Sequence, residues 1–289
     1  VGIDQAPDLQ KHEGPTTHDL ARRSLMVGIP AHDEETTIAQ AVHAARAGLD
    51  ELGVRGRVVV AASGCTDRTA ARARRAGASV VETPRGKGSA VRALARTLDE
   101  EAMALVDADV AYYGARPLAA LVAEPVVRGI ADASVADLYW RPIYPRMWEL
   151  GFYGPLVGRL LPEVLGAFGG SAWTGQRAAA APLWRGAYPR GFAVETALNL
   201  RWGLSGARCV AVASEDWIQP VRPKRPFFAS ELRLVLDAAE ARGRLAAPRA
   251  TYTAWLDVVV AFMGTYVHDE TDVRAFELAL AGVAHTHLP

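Results

Sequence analysis

"LMVGIPAHDEETTIAQAVHAARAGLDELGVRGRVVVAAS", residues 25–63, changes its hydrophobic period twice. Leu25 to Ile29 is a short apolar run stopped by Pro30, the pattern of a buried strand. Ile38, Val42, Ala45 and Leu49 then share one helical face, with Thr36 or Thr37 as the N-cap. Arg57 to Ala62 is the next strand, and it runs into the polar loop Ser63-Gly64-Cys65-Thr66-Asp67. Strand, helix and strand in succession predict parallel strands joined by a right-handed crossover.

The alternation continues outward. An Ala/Arg-rich helix runs to about Ala76, and Ala78 to Val81 is a third strand. Gly86-Lys87-Gly88 opens another helix, and Ala102 to Val106 is a fourth strand ending at Asp107 and Asp109. Ligands of parallel sheets bind beyond the carboxyl ends of the strands. Four polar loops, 30–35, 63–67, 85–88 and 107–109, all fall on that edge. The second half is less regular: a strand over 131–140, a helix over 144–165 interrupted by Gly151, Gly154 and Pro155, and a glycine turn at 168–171. A loop and helix over 191–204 and a strand over 208–213 follow. Beyond the proline-rich turn 219–226, two helical stretches, 228–243 and 251–283, close the chain.

Of 289 residues, 50% are hydrophobic, enough for one large α/β core with a helical appendage. Lys plus Arg equals Asp plus Glu at 32 each, so nothing in the charge favours nucleic acid or an anionic membrane surface. No apolar stretch approaches the roughly 20 residues that span a bilayer. The first 23 residues lack a signal-peptide apolar core and read as a flexible, solvated tail. Cys65 and Cys209 lie far apart and suggest no disulfide framework, so a reducing, cytoplasmic setting is expected.

Asp107 and Asp109 raise the sharpest chemical question. Residues i and i+2 of an extended segment point the same way, so two carboxylates converge at the mouth of a buried strand. Such a pair suits Mg²⁺ or Mn²⁺. The glycines of Arg85-Gly86-Lys87-Gly88 permit close backbone approach, and the helix that follows offers free N–H groups to an anion. The spacing is neither a Walker A loop nor a dinucleotide fingerprint. Carboxylates in Pro30-Ala31-His32-Asp33-Glu34-Glu35 can accept hydrogen bonds from ribose hydroxyls, or can simply favour a helix start. Thr66 and the acids around it can cap the next helix. Trp140, Tyr144, Trp148, Tyr153, Trp173 and Trp184 can wall an acceptor pocket, with at least half of them expected in the core.

"VGIPAHDEETTIAQAV", "ASGCTDRTA", "ETPRGKGSAV", "VDADV", "FGGSAWTGQRA" and "GFAVETALNL" occur in that order. Together they resemble the glucosyl-3-phosphoglycerate synthases and related retaining GT-A glycosyltransferases (family 81 or family 2-like), over roughly residues 24–226. The resemblance implies a GT-A fold, α/β with a mostly parallel central sheet, a UDP-sugar donor, a divalent metal and a homodimer. The implied organisation is a nucleotide-binding half at 24–110, an acceptor half at 111–226 and a helical extension at 227–289.

Carried over by motif, Pro30, Ala31, His32 and Glu34 flank the uridine, and Ser63, Lys87 and Ala108 also line the nucleotide. Asp107 and Asp109 form the metal motif, with Asp109 as direct ligand. Gly169 and Gly170 lie beside the sugar, Glu195 approaches sugar or acceptor, and Arg222 can bind the diphosphate. Arg141, Arg146, Trp173 and Thr174 are the acceptor candidates. The chain departs from the family at His32 and Asp33, where Leu and Asn are usual. It keeps Arg146 without the glycine and threonine of the phosphoglycerate-binding pattern. It also lacks the histidine before the Arg-Pro pair, so either the third protein ligand to the metal is lost or Gln219, Glu215, Asp216 or a later histidine such as His268 replaces it. The expected reaction is retaining, metal-assisted transfer of a sugar, as from UDP-glucose or UDP-N-acetylglucosamine, to a small polar hydroxyl acceptor. The rivals are an inverting transferase with Glu195 or Asp216 as base, and a non-catalytic nucleotide-sugar-binding protein.

Overall fold

The structure, a computed structural model, describes residues 22–112, 115–136, 145–169, 174–213, 217–218 and 225–289. The opening stretch folds as its periods dictate: β1 (Ser24–Ala31), α1 (Ile38–Leu52) and β2 (Arg55–Ser63). Then come α2 (Thr69–Arg75), β3 (Ser79–Thr83), α3 (Lys87–Arg96), β4 (Ala102–Leu105), β5 (Ala111–Tyr112), α4 (Leu118–Val127) and β6 (Ala133–Ala136). A π-helical turn, Glu149–Tyr153, leads into α5 (Gly154–Leu160) and α6 (Pro162–Phe168). β7 (Arg177–Ala180), a 3₁₀ turn at Ala181–Trp184, α7 (Val194–Gly203), β8 (Cys209–Val212) and β9 (Trp217–Ile218) follow. The chain closes with α8 (Arg225–Glu240), α9 (Arg249–Met263) and α10 (Val273–His287).

Seven strands form one sheet in the order β3-β2-β1-β4-β7-β6-β8, and β5 pairs with β9 in a small antiparallel ribbon. β1 is parallel to both β2 and β4, and β2 is parallel to β3. β7 alone runs against its neighbours, β4 and β6, while β6 and β8 are parallel. The sheet is α/β and mostly parallel, as the alternation predicted. Strand order reverses between β1 and β4, the switch point at which open α/β sheets bind ligands.

Side chains of β1 alternate between two cores. Leu25, Val27 and Ile29 join the α1 and α4 side, with Ile38, Val42, Ala45 and Leu49 all buried there. Met26 joins the opposite core with Leu94 of α3 and Leu198 and Trp202 of α7. Gly28 occupies that second face because a Cβ there would sit 3.0 Å from a Leu94 methyl. A third cluster joins 147–165 to α8, α9 and α10, centred on Phe152, Trp255 and Leu280. Trp148 and Tyr153 stack at 4.0 Å within it.

Several expectations change. The strand read over 131–140 is Ala133–Ala136: residues 131 and 132 precede it without joining it, and 137–140 lie outside the described residues. The helix read over 144–165 switches to π-helical bonding just before Pro155, whose missing N–H breaks the α ladder. Gly151 stands where a Cβ would meet Met263 and Leu280 at 2.5 and 2.9 Å, so it admits α9 and α10. The long helix read over 251–283 is two helices, because Asp272 starts α10 by accepting the Ala275 N–H at 2.6 Å. Thr37 does occupy the N-cap of α1, but its hydroxyl donates to Glu34 and caps no helical N–H. Cys65 and Cys209 are both free thiols. Among the described residues no helix is long and apolar enough to cross a membrane.

Candidate active site

Beyond the carboxyl ends of β1, β2 and β4 lies a cavity of about 210 Å³. The β1–α1 loop contributes Pro30, Ala31, His32 and Glu34, and β2 contributes Ser63. The α3 start contributes Arg85, Gly86 and Lys87, and the segment after β4 contributes Asp107, Ala108 and Asp109. All four loops singled out in the sequence therefore converge. Phe192 closes the rim, 46% exposed and packed on Phe227 at 4.8 Å between ring centres. A lone aromatic in a glycine-flanked loop gave no periodic signal, so sequence reasoning missed it.

The floor is a buried ion bridge. Lys87 Nζ lies 2.9 Å from Asp107 Oδ2 and 2.6 Å from Glu195 Oε1. Burial alone would depress the Lys87 ammonium, but Asp107 and Glu195 outweigh it and raise its pKa. Gln176, fully buried at the start of β7, accepts the Asp107 N–H at 2.8 Å and donates to Asp107 Oδ2 at 2.9 Å. The antiparallel register, Leu105 opposite Arg177, is what brings Gln176 there. Next to it Arg177, also fully buried, donates to the Thr174 carbonyl at 3.0 Å and to Asn199 Oδ1 at 3.0 Å. Burial pulls its guanidinium down to about 10, against the opposing pull of Glu195, Tyr153 and Asp107. Gln176 and Arg177 were not anticipated, since their pairing is set by strand register and not by local pattern.

Asp109 differs from Asp107. It stands exposed at the mouth, yet desolvation by the surrounding wall, then the charge of Asp107, raise its carboxyl; Lys87 opposes them. Glu34 is raised in the same way, chiefly by burial, although Thr37 donates to it at 2.8 Å. Burial first, and neighbouring carboxylates second, disfavour the charged forms of Asp109 and Glu34, and a divalent ion bound there would favour them. The oxygen-only donor set of Asp107 and Asp109 fits Mg²⁺ or Mn²⁺.

The loops are tied to one another. Ser63 Oγ accepts the Gly86 N–H at 2.9 Å and reaches the Pro84 and Gly86 carbonyls at 3.1 and 3.2 Å, so it shapes the Lys87 turn. His32 Nδ1 lies 2.8 Å from the Ser63 carbonyl. Asp67 accepts the Thr69 N–H at 2.8 Å, but the N-cap position of α2 is Arg68, which makes no side-chain cap, and Thr66 donates to Asp33. The cap expected from Thr66 and its acids is therefore not formed at the N-cap. One expectation is corrected: the second and third N–H groups of α3 are not offered to an anion. Gly88 and Ser89 donate to the carbonyls of Gly191 and Arg190, each at 3.2 Å.

Other candidates fall elsewhere. Arg146 pairs with Glu277 of α10 at 3.1 Å and does not line the cavity. Thr174 is buried behind Arg177, and its hydroxyl accepts the Gln176 N–H at 3.1 Å. Gly169 ends α6 at φ 70°, and His268 sits beside Asp269 at 3.4 Å on the turn before α10. Trp148, Tyr153 and Trp184 are core residues and do not line the cavity, as close packing of large aromatics favours. Arg141, Gly170, Trp173, Arg222, Gln219, Glu215, Asp216, Trp140 and Tyr144 lie outside the described residues.

The sequence pattern described as glycosyl transferase family 2 matches residues 26–181. No curated protein matches the chain. Among solved structures, a mycobacterial protein described only as such aligns at 26% identity and TM-score 0.64, over 78% of this chain and 76% of its own. Glucosyl-3-phosphoglycerate synthase from Mycobacterium tuberculosis, crystallised with Mn²⁺, UDP-glucose and phosphoglyceric acid, aligns at 23% identity and TM-score 0.64, over 78% of this chain and 84% of its own. The same enzyme with Mn²⁺, UDP-glucose and glycerol 3-phosphate aligns at 24% identity and TM-score 0.63, over 78% and 83% of the two chains. At these identities the likeness is one of fold.

Proposed function

This chain belongs to glycosyl transferase family 2, and on that premise we propose that its switch-point cavity takes a UDP-sugar and passes the sugar to a hydroxyl of a small polar acceptor. The observation that carries the reading is the convergence of Glu34, Lys87, Asp107 and Asp109 on one cavity at the end of β1 and β4. Glu34 and His32 stand where they can meet the nucleoside. Asp107 and Asp109 would hold Mg²⁺ or Mn²⁺, which when bound neutralises charge on the departing diphosphate. Lys87 and Gln176 fix the Asp107 carboxylate, so the site is set before substrate arrives and catalysis rests on positioning and electrostatics.

The reading includes retention. Glu195 is buried on Lys87, and Asp107 is committed to Lys87 and Gln176, which leaves both poorly placed as nucleophiles. Departure of the diphosphate and entry of the acceptor oxygen then share one face of the sugar, and the acceptor proton leaves with the diphosphate. The inverting alternative needs a general base, and the anomeric configuration of the product, read from NMR coupling constants, separates the two. We place the reaction in the cytoplasm and in a homodimer, the latter checked by light scattering.

The deciding experiment is calorimetric titration with UDP-glucose, UDP-N-acetylglucosamine, GDP-mannose and ADP-glucose, each with and without Mn²⁺. The expected result is Mn²⁺-dependent binding of a UDP-sugar. Absence of binding by every donor under both conditions would overturn the reading.

A further inference from the structure

At the outer lip of the cavity, residues from two neighbouring loops bring together three different metal-binding side chains. One ligand atom each of His32, Asp33 and Cys65 lies within 4.8 Å of the other two. Among the described residues no other group of three or more His, Cys, Asp and Glu side chains meets that condition. His32 Nε2 and Asp33 Oδ2 are already 3.7 Å apart.

Each of the three is held by a backbone group. His32 Nδ1 is 2.8 Å from the Ser63 carbonyl. A carbonyl only accepts, so Nδ1 carries a proton, and in the neutral ring the lone pair is then on Nε2. An imidazole that donates its other N–H to a backbone carbonyl is the usual outer-sphere arrangement of a histidine ligand. Asp33 Oδ1 accepts the Thr66 N–H at 2.7 Å, which fixes the carboxylate; Oδ2 faces His32 at 3.7 Å and also accepts from the Thr66 hydroxyl at 3.4 Å. Cys65 Sγ rests 3.5 Å from the Ala31 carbonyl, beside β1. Tetrahedral coordination at the usual Zn–N, Zn–O and Zn–S lengths needs donor atoms about 3.3–3.6 Å apart. The His32–Asp33 spacing is close to that need, and the sulfur, which lies within 4.8 Å, would leave the Ala31 carbonyl to join them.

We propose that His32, Asp33 and Cys65 form a second cation site, for Zn²⁺ or a similarly soft divalent ion, distinct from the oxygen-only pair Asp107 and Asp109. Thiolate, imidazole and carboxylate together select a borderline-soft ion over Mg²⁺. Three protein ligands leave a fourth position for water. On binding, the Cys65 thiol gives its proton to solvent as the sulfur–metal bond forms. Because His32 also lines the cavity, the ion would sit at its entrance. The proposal shares His32 with the donor assignment, but its thiolate readout does not depend on donor binding.

The test uses the full chain, stripped of metal, reduced, and kept in excess Mg²⁺ so that hard oxygen sites are filled. Titration with Co²⁺ should give a thiolate-to-cobalt charge-transfer band saturating at one equivalent, and Zn²⁺ should abolish it. Cys65→Ser should lose the band and Cys209→Ser should keep it. The Asp107→Ala, Asp109→Ala double variant should also keep it. His32→Gln and Asp33→Asn should weaken Zn²⁺ by at least the roughly 10- to 100-fold that loss of an outer-sphere partner costs. Melting curves of each variant, matched to the parent chain, establish that loss of the band is loss of a ligand. No band in the parent chain at excess Co²⁺, or a band that survives Cys65→Ser, overturns the proposal.

Discussion

Lys87 is one cation answering two buried carboxylates, and its removal strands both. Breaking a buried pair leaves an uncompensated charge at a cost of about 3–5 kcal/mol. Lys87→Met should therefore lower unfolding free energy by about that amount in denaturant titrations. Adding Glu195→Gln should recover part of the loss, a coupling that a double-mutant cycle measures. Asp109 behaves in the opposite sense. Its folded carboxyl is raised above the ordinary value, so the native state binds more protons than the unfolded chain across that window. Stability then falls as pH rises through it, and the penalty is complete above the raised pKa. Asp109→Asn should abolish metal-dependent transfer while raising the melting temperature at pH 7. The gain should shrink toward zero as pH falls below the ordinary carboxylate range, and a gain that persists in acid would refute the electrostatic account.

Among elements, α3 shows how tightly the site is built. Gly88 faces a carbonyl: a Cβ there would lie 1.7 Å from Pro189 O. Gly88→Ala must push the 186–191 segment outward, so donor affinity should fall at least about tenfold in calorimetry, the scale of an approximately 1.4 kcal/mol loss. Gly282 in α10 is the counterexample, since a Cβ added there would meet nothing within 4 Å. Gly282→Ala should stabilise the chain by about 0.5–1 kcal/mol in the same melts and leave affinity alone. Legibility in the sequence followed the same line. β1, α1, β2 and the four edge loops were readable because each carries a local period or a glycine-acid cluster. β7 was not: Arg177-Ala178-Ala179-Ala180 has no β-branched residue, and only the neighbours β4 and β6 make it a strand. α4 hid behind its internal Pro125, whereas the break before α10 did carry a local signal, the polar run Gly264 to Asp272 ending in an N-cap aspartate, which sequence reasoning missed. At the site, Lys87, Asp107 and Glu195 were named from motifs. Their mutual bridge was invisible, because it joins segments far apart in the chain.

At the scale of the whole molecule, two of the three cores sandwich the sheet and the third joins 147–165 to the carboxyl-terminal helices. Trp255 anchors that third core, stacked on Phe152 at 6.0 Å with its Nε1 donating to the Ala284 carbonyl at 2.9 Å. Trp255→Ala should cost about 3–5 kcal/mol, as large aromatic deletions do. No residue of that core lines the donor cavity, so calorimetry on the folded variant should return unchanged donor affinity.

The reversed strand β7 also sets a timetable. Asp107 meets Gln176 69 residues later in the chain, so during synthesis β4 waits with one edge open until β7 emerges. At about 5–20 residues per second that wait lasts roughly 3–14 s. For that interval the nascent chain exposes an unpaired apolar strand, Ala102 to Leu105, of the kind that recruits other strands. The floor of the active site thus closes late, and the nascent chain is most open to mispairing until Gln176 arrives.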